Sequence, residues 1–490
     1  MGDDATLDCL IRGGTLIDGT RSPRVRADVG VLGGRIAAVG DLSGRVARRT
    51  IDASGRIVAP GFIDTHTHDD QALLNQPTLP FKVSQGVTTV VAGNCGVSVA
   101  PWRPGLKRPS PLDLVDRRDA DEFESLRAYL DALRRQPAAV NVAALIGHTT
   151  LRALTMTSLE RAATTAEIDA MQAHVADALD AGAIGLSTGT FYPPAAAATT
   201  DEIIAVGAPM SGGAGLYATH MRDEADRVME AIDETLAIGR ALDCPVVISH
   251  HKVGGSANFG RSVQTLARIG QAMRCQCVAL DCYPYTAGST MIRTDRAMIA
   301  ERVLINTSVP HPECNGRDLT DIAAQWGVSR EEAAARLAPG SAVYFMMDEA
   351  DVRRILAFDE TMIGSDGIPL GPKPHPRLWG TFPRVLGHYC RDAGLFPLET
   401  AVWKMTGLPA RNFGLSDRGT VAPGQAADLV IFDAGTVADE ATYDAPVRAS
   451  AGIDAVFVNG ELAWRAGAPT GARAGQVLRR TPRNGAPRDA

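Results

Sequence analysis

Apolar residues along this chain fall into short runs with two kinds of surroundings. Near the N-terminus, residues 10–19 (LIRGGTLIDG), 27–39 and 51–58 (IDASGRIV) are short apolar stretches broken by glycine turns, which predicts a small antiparallel β unit. Residues 424–432 (GQAADLVIF) and 455–464 (AVFVNGELAW) show the same pattern near the C-terminus. Two such segments flanking a long middle predict one small β domain built from both chain termini, over residues 7–60 and 415–480, because the ends of a compact domain lie close together. In residues 61–414, short apolar runs at 61–65, 88–91, 140–146, 184–187, 215–219, 246–249, 278–281 and 362–365 alternate with helical patterns such as 165–181, 223–242 and 262–274. Eight β/α alternations over about 350 residues predict an α/β fold, a (β/α)8 TIM-like barrel carrying the chemistry. A doubly wound sheet shows the same alternation, and periodicity alone does not separate the two. Residues 287–340 interrupt the rhythm and read as an insertion over the active-site face of the barrel. The tail after Gly475, basic and containing Pro482 and Pro487, is expected to be loosely ordered.

Composition narrows the class. A net charge of −7 without any Lys/Arg-rich stripe argues against a nucleic-acid surface. No basic segment followed by an apolar stretch opens the chain, and no window approaches the roughly 18 apolar residues of a membrane span. These features lead us to expect a cytoplasmic protein acting on a small molecule, with neither nucleic acid nor membrane as partner; they leave the oligomeric state open, a monomer being compatible with them. The eight cysteines, at 9, 95, 244, 275, 277, 282, 314 and 390, then read as reduced thiols rather than a disulfide framework.

Candidate chemistry sits at the ends of the apolar runs. In PGFIDTHTH (60–68), His66 and His68 are two residues apart, a spacing that points both imidazoles to one face of a strand and suits a metal. The plainer alternative is two polar residues leaving a strand. Cys95, between Asn94 and Gly96, follows the run at 88–91 and is either a buried structural thiol or a metal ligand held open by flanking glycines. His220 and His250 each end an apolar run (GLYATH and PVVISH), where barrel strands deliver side chains into the mouth. His251 points elsewhere by strand alternation, and His148, after another apolar run, is either a satisfied polar residue or a further ligand. Asp366, after TMIGS, is a turn or helix-capping aspartate unless it is a general acid/base.

GFIDTHTH, VVAGNCG (90–96), YATHMRDE (217–224), VVISHHK (246–252), YPYTAGSTM (283–291), MIGSDG (362–367), PHPRLWGTFPRVLG (374–387) and PGQAADLVIFD together resemble the D-aminoacylases, the N-acyl-D-amino-acid deacylases of the amidohydrolase superfamily. The resemblance runs from about residue 8 to 478. It implies zinc-dependent hydrolysis of N-acyl-D-amino acids to a carboxylate and a free D-amino acid. It makes Cys95, His220 and His250 the ligands of one tight Zn2+, with His66 and His68 at a second position that is weak or empty, and Asp366 the proton carrier. Lys252, Tyr283, Ser289 and Arg377 would hold the substrate carboxylate. Phe191, Met298, Tyr344 and Met347 would line an apolar side-chain pocket, favouring substrates such as N-acyl-D-methionine. Arg293, on the insertion, raises the alternative of an N-acyl-D-glutamate or N-acyl-D-aspartate deacylase. A non-catalytic relative that has lost its metal is the alternative of another class.

Overall fold

The computed structural model describes residues 6–114 and 122–481. The eight apolar runs become one parallel sheet, with barrel strands Phe62–Asp64, Val87–Ala92, Asn141–Gly147, Gly185–Gly189, Leu216–His220, Val246–Ile248, Val278–Cys282 and Thr361–Ile363. Neighbours in space follow chain order from the first strand to the eighth without reversal. A doubly wound sheet would reverse at a switch point, so this order selects the barrel. The seam between the first and eighth strands is closed just beyond their ends. There Asp366 N donates to His66 O (2.7 Å) and His68 N to Gly367 O (3.0 Å).

Alternation sorts these strands into two cores. Ile63, Val91, Leu145, Ile184, Leu216, Val247, Ala279 and Met362 meet inside the barrel. Their sequence neighbours, including Val90, Ile146, Val246, Ile248, Leu280 and Ile363, pack outward with the helical layer. Both faces are therefore apolar, the condition for a parallel strand buried on two sides. The outer layer includes helices Thr165–Ala181 and Val228–Leu242. The first opens with Thr164 and Glu167 in a capping box and stops at Gly182, whose φ of +117° a side chain would resist.

Both chain ends contribute to one seven-stranded sheet, in which Leu429–Phe432 pairs with Ile57–Pro60 on one side and Ile453–Val458 on the other. Leu429 and Ile431 face a second, four-stranded sheet built from residues 7–52, while Val430 and Phe432 face the barrel's outer core. Strands Ala287–Met291, Arg302–Ser308 and Gly340–Phe345 form a separate three-stranded sheet between the seventh and eighth barrel strands.

The tail departs from expectation. Residues 475–481 are tied down: Val142 N donates to Gln476 O (2.9 Å), Leu478 N to Val142 O (2.8 Å) and Thr481 N to Gly414 O (2.9 Å). Satisfied backbone donors and the buried Leu478 hold a segment whose composition alone reads as loose. Pro482 and Pro487 lie outside the described residues. All eight cysteines are free thiols. Among the described residues, no helix is long and apolar enough to cross a membrane.

Candidate active site

The sequence candidates converge at the ends of the barrel strands. Cys95 Sγ lies 3.2 Å from His66 Nε2, 3.2 Å from His250 Nε2 and 3.7 Å from His220 Nδ1. Asp366 Oδ1 lies 3.3 Å from His68 Nε2 and 3.6 Å from His66 Nε2. All six side chains are buried, with His68 and Asp366 each 7% exposed.

Only part of this follows from strand alternation. His220 continues the inward set of Leu216 and Ala218. His250 would follow Val246 and Ile248 outward, but the strand ends at Ile248 and a φ of +36° re-aims it. Cys95 (+55°) and Asp366 (+48°) also take left-handed backbone, so among the described residues three of the eight non-glycine residues with positive φ are in this cluster. Such conformations cost about 1–3 kcal/mol each and persist where surrounding packing imposes them. Flanking glycines permit the turn at Cys95. A Cβ on Gly93 would meet Leu145 O at 2.1 Å, and one on Gly96 would meet Thr149 Oγ1 at 2.4 Å. The strand carrying PGFID ends at Asp64, short of both histidines. His66 and His68 converge through the seam hydrogen bonds to the 364–367 segment, not through a continued strand.

This donor set fits a metal ion. His66, Cys95, His250 and Asp366 each offer a ligand atom, all within 4.8 Å of one another. Two ligands on one tetrahedral zinc, with Zn–S about 2.3 Å and Zn–N about 2.0 Å, sit about 3.5 Å apart, and the three thiol–imidazole distances bracket that value. Electrostatics agree. Burial holds His66 down to about 3 and pushes His220 and His250 below the ordinary imidazole value, leaving neutral rings. Burial, then the Asp366 carboxylate, drives the Cys95 thiol well above its ordinary value. A bound cation reverses that, since a coordinating thiol is deprotonated outright. Burial opposes ionisation of Asp366, but Arg377, His250 and His68 outweigh it and hold the carboxyl well below its usual range.

The proposed carboxylate-binding residues form one wall. The Arg377 guanidinium lies 4.6 Å from the Tyr283 ring centroid and the Lys252 ammonium 5.5 Å from it. Arg377 Nη1 is 2.9 Å from Asp366 Oδ2, and its Nη2 donates to Ser289 O (3.1 Å). Ser289 thus orients Arg377 through its carbonyl. On the other side, Phe191 stacks on His220 with centroids 5.1 Å apart and planes at 20°. Tyr344 and Met347 are buried, and Tyr283 Oη reaches Met347 Sδ at 3.9 Å. Met298 is a correction: it is 57% exposed on helix Thr294–Ile299, on the solvent side of the insertion, and is not enclosed with the others. The Phe191 ring instead carries two guanidinium groups, Arg293 at 4.4 Å and Arg296 at 4.2 Å from its centroid.

Sequence reasoning missed several buried polar residues. Glu224 Oε1 accepts from Lys252 Nζ (2.7 Å) and lies 3.0 Å from His250 Nδ1, and its Oε2 is 3.5 Å from His220 Nε2. Burial raises this carboxyl, but Lys252, His220 and His250 together hold it well below its usual value. Asp281 accepts from His250 N (2.8 Å), and burial raises it to about 7. Its inward alternation from Ala279 was a readable signal. Lys82 Nζ clamps Asp64 Oδ2 (2.7 Å) and Ser365 Oγ (2.9 Å), joining the first and eighth strands beneath the histidines. His251 Nε2 shares a hydrogen bond with Thr265 Oγ1 (2.8 Å), and His148 Nε2 sits 3.3 Å from Glu202 Oε1.

Comparison with known proteins gives a consistent picture. Residues 49–463 match the Amidohydrolase family. The chain is 58% identical to the D-aminoacylase of Alcaligenes xylosoxydans xylosoxydans, covering 98% of this chain and 99% of that one. It is 53% identical to the N-acyl-D-aspartate deacylase of the same organism, over 97% of this chain and 95% of that one. The solved N-acyl-D-glutamate deacylase of Bordetella bronchiseptica, complexed with zinc and a phosphonate mimic of the tetrahedral intermediate, is 49% identical. It superposes with a TM-score of 0.93 over 97% of this chain and 100% of that one.

Proposed function

The chain belongs to the amidohydrolase family, and on that premise we propose that it hydrolyses N-acyl-D-amino acids to a carboxylate and a free D-amino acid, with zinc as its metal. The observation that carries this reading is the meeting of one thiol, neutral imidazoles and an ionised carboxylate at the strand ends of the barrel. Cys95, His220 and His250 would hold the tight ion, leaving a position open, as catalytic zinc sites do. His66 and His68 would form the weak or empty second position. Zinc, when bound, supplies Lewis acidity toward water and the acyl carbonyl.

The protein's own groups do the rest. Asp366, ionised at neutral pH, takes the proton of the attacking water and returns it to the departing nitrogen. Arg377 and Lys252, on the shared Tyr283 wall, hold the substrate carboxylate, Arg377 through a planar fork suited to two parallel hydrogen bonds. With carboxylate and acyl group placed, only one enantiomer sends its side chain toward Phe191, Tyr344 and Met347. Apolar side chains gain from that surface. The Arg293 and Arg296 guanidinium groups on Phe191 favour a second reading, in which an acidic D-side chain is accepted there. In this account residues 61–414 are the catalytic domain, 287–340 its insertion and 7–60 with 415–480 the supporting β domain. The protein acts in the cytoplasm. A turnover screen of N-acetyl amino acids as L/D pairs, with zinc measured on the same sample, tests the reading; turnover of L substrates alone would overturn it.

A further inference from the structure

Glu224 sits behind the metal site, with Oε1 engaged by Lys252 and beside His250, and Oε2 near a His220 Nε2 that has no hydrogen-bond partner among the described residues. His250 turns Nε2 to Cys95 and Nδ1 to Glu224 Oε1, at 3.2 and 3.0 Å. His220 turns Nδ1 to Cys95 and Nε2 to Glu224 Oε2, at 3.7 and 3.5 Å. One carboxylate therefore backs both imidazoles on the nitrogen opposite the thiol. A histidine that binds a metal through one nitrogen carries its proton on the other and needs an acceptor there.

Lys252 adds a conflict. Its Nζ is 2.7 Å from Glu224 Oε1 and also 2.7 Å from His250 Nδ1. An ammonium only donates, so the contact with Nδ1 is a hydrogen bond only when that nitrogen bears a lone pair and Nε2 bears the proton. That tautomer cannot offer Nε2 to a metal. Lys252 on His250 Nδ1 and a metal on His250 Nε2 are mutually exclusive; in the metal-bound tautomer the ring proton is carried on Nδ1, where Glu224 Oε1 is placed to accept its hydrogen bond.

We propose that Glu224 is a positioning residue that couples the metal site to Lys252, so that zinc and the carboxylate of the substrate strengthen each other's binding. With zinc present, His250 Nδ1–H donates to Glu224 and Lys252 loses one acceptor, freeing a donor for the incoming carboxylate. A carboxylate that draws Lys252 away leaves Glu224 to the histidine N–H groups, which orients both rings for the metal. Linkage makes the two effects equal in size. The proposal rests on Lys252 binding the substrate carboxylate, as in the functional reading above.

The test measures the zinc dissociation constant by competition with a chromophoric chelator, with and without saturating D-methionine, a product that cannot be hydrolysed. In the wild type, D-methionine should tighten zinc by about fivefold or more. Glu224→Gln should weaken zinc by about 10–100-fold and abolish the D-methionine effect, whereas Glu224→Asp, which keeps the carboxylate, should retain it. Equal zinc affinity with and without D-methionine in the wild type would overturn the proposal, as would a full effect in Glu224→Gln. Loss of zinc from Glu224→Gln as complete as from Cys95→Ala would also overturn it, making Glu224 a ligand. If Glu224→Gln does not fold, the wild type and Glu224→Asp decide. N-acetyl-D-methionine turnover on the same wild-type sample separates the two readings: turnover without coupling sinks only this proposal, and absence of turnover on every N-acyl-D-amino acid sinks the functional reading.

Discussion

Replacing Asp366 with asparagine tests the proton carrier and, separately, the ion pair it makes. The substitution preserves shape but removes the group that accepts a proton. Loss of a general acid/base lowers kcat by about 10²–10⁴-fold, or about 3–5 kcal/mol of transition-state stabilisation. The structure adds a second consequence. Arg377 has a side chain only 1% exposed, and its Nη1 faces Asp366 Oδ2 at 2.9 Å. Leaving a buried partner uncompensated costs about 3–5 kcal/mol of stability, so urea unfolding should shift to lower concentration. D-methionine should restore part of that loss, because its carboxylate re-pairs Arg377. In the wild type the substrate carboxylate competes with Asp366 for Arg377, and in the variant it does not, so KM should stay level or fall as kcat drops. Steady-state kinetics on N-acetyl-D-methionine, zinc analysis and urea titrations on one preparation read all three. A kcat within threefold of wild type at full zinc would remove Asp366 from proton transfer, and activity lost only in proportion to zinc would make it a ligand alone.

Cys95→Ala should lose bound zinc and nearly all turnover together, because Cys95 Sγ is the atom that three imidazoles approach; zinc retained with normal turnover would make the thiol structural. Glu202, ion-paired with the buried Arg152 and His148, is held near 2, with burial opposing and His148 and Arg152 outweighing it. A depressed carboxyl stabilises the fold above its ordinary value, near 4.5, and loses that contribution as pH falls toward 2. Glu202→Gln should therefore destabilise the fold at pH 7 and flatten the acid limb of a stability-against-pH curve; an unchanged limb would refute this. In the substrate screen, N-acetyl-D-methionine and N-acetyl-D-leucine should exceed N-acetyl-D-alanine in kcat/KM by at least about tenfold through apolar burial. N-acetyl-D-glutamate should be lower than both leading substrates, and N-acetyl-L-methionine far below them. A lead for D-glutamate would move specificity to Arg293 and Arg296.

Local pattern determined what local forces control. Period-two alternation at 429–432 specifies a strand buried on both faces, and the eight apolar runs specify the barrel strands, because side-chain direction on a strand depends only on position. Alternation likewise carries His220 and Asp281 inward from Leu216, Ala218 and Ala279. Tertiary structure decided the rest. His250 reaches the site against its strand parity, through a left-handed φ that the surrounding chain imposes. Asp223 and Glu224 are adjacent acids in YATHMRDE. Asp223 caps its own loop by accepting from Ala225 N (2.6 Å), while Glu224 is buried against His220, four residues before it, and against His250 and Lys252 from the next strand's end. Nothing in residue type separates them, since His250 and Lys252 reach Glu224 only through the packing of one barrel strand beside the next. Met298 has the apolar character of a pocket residue, yet its helix presents it to solvent. The Arg377–Asp366 pair also depends on how the segment after the eighth strand returns over the mouth. Residue chemistry sets which partners are possible; long-range packing sets which of them meet, because burial and charge pairing act between segments that sequence distance does not relate.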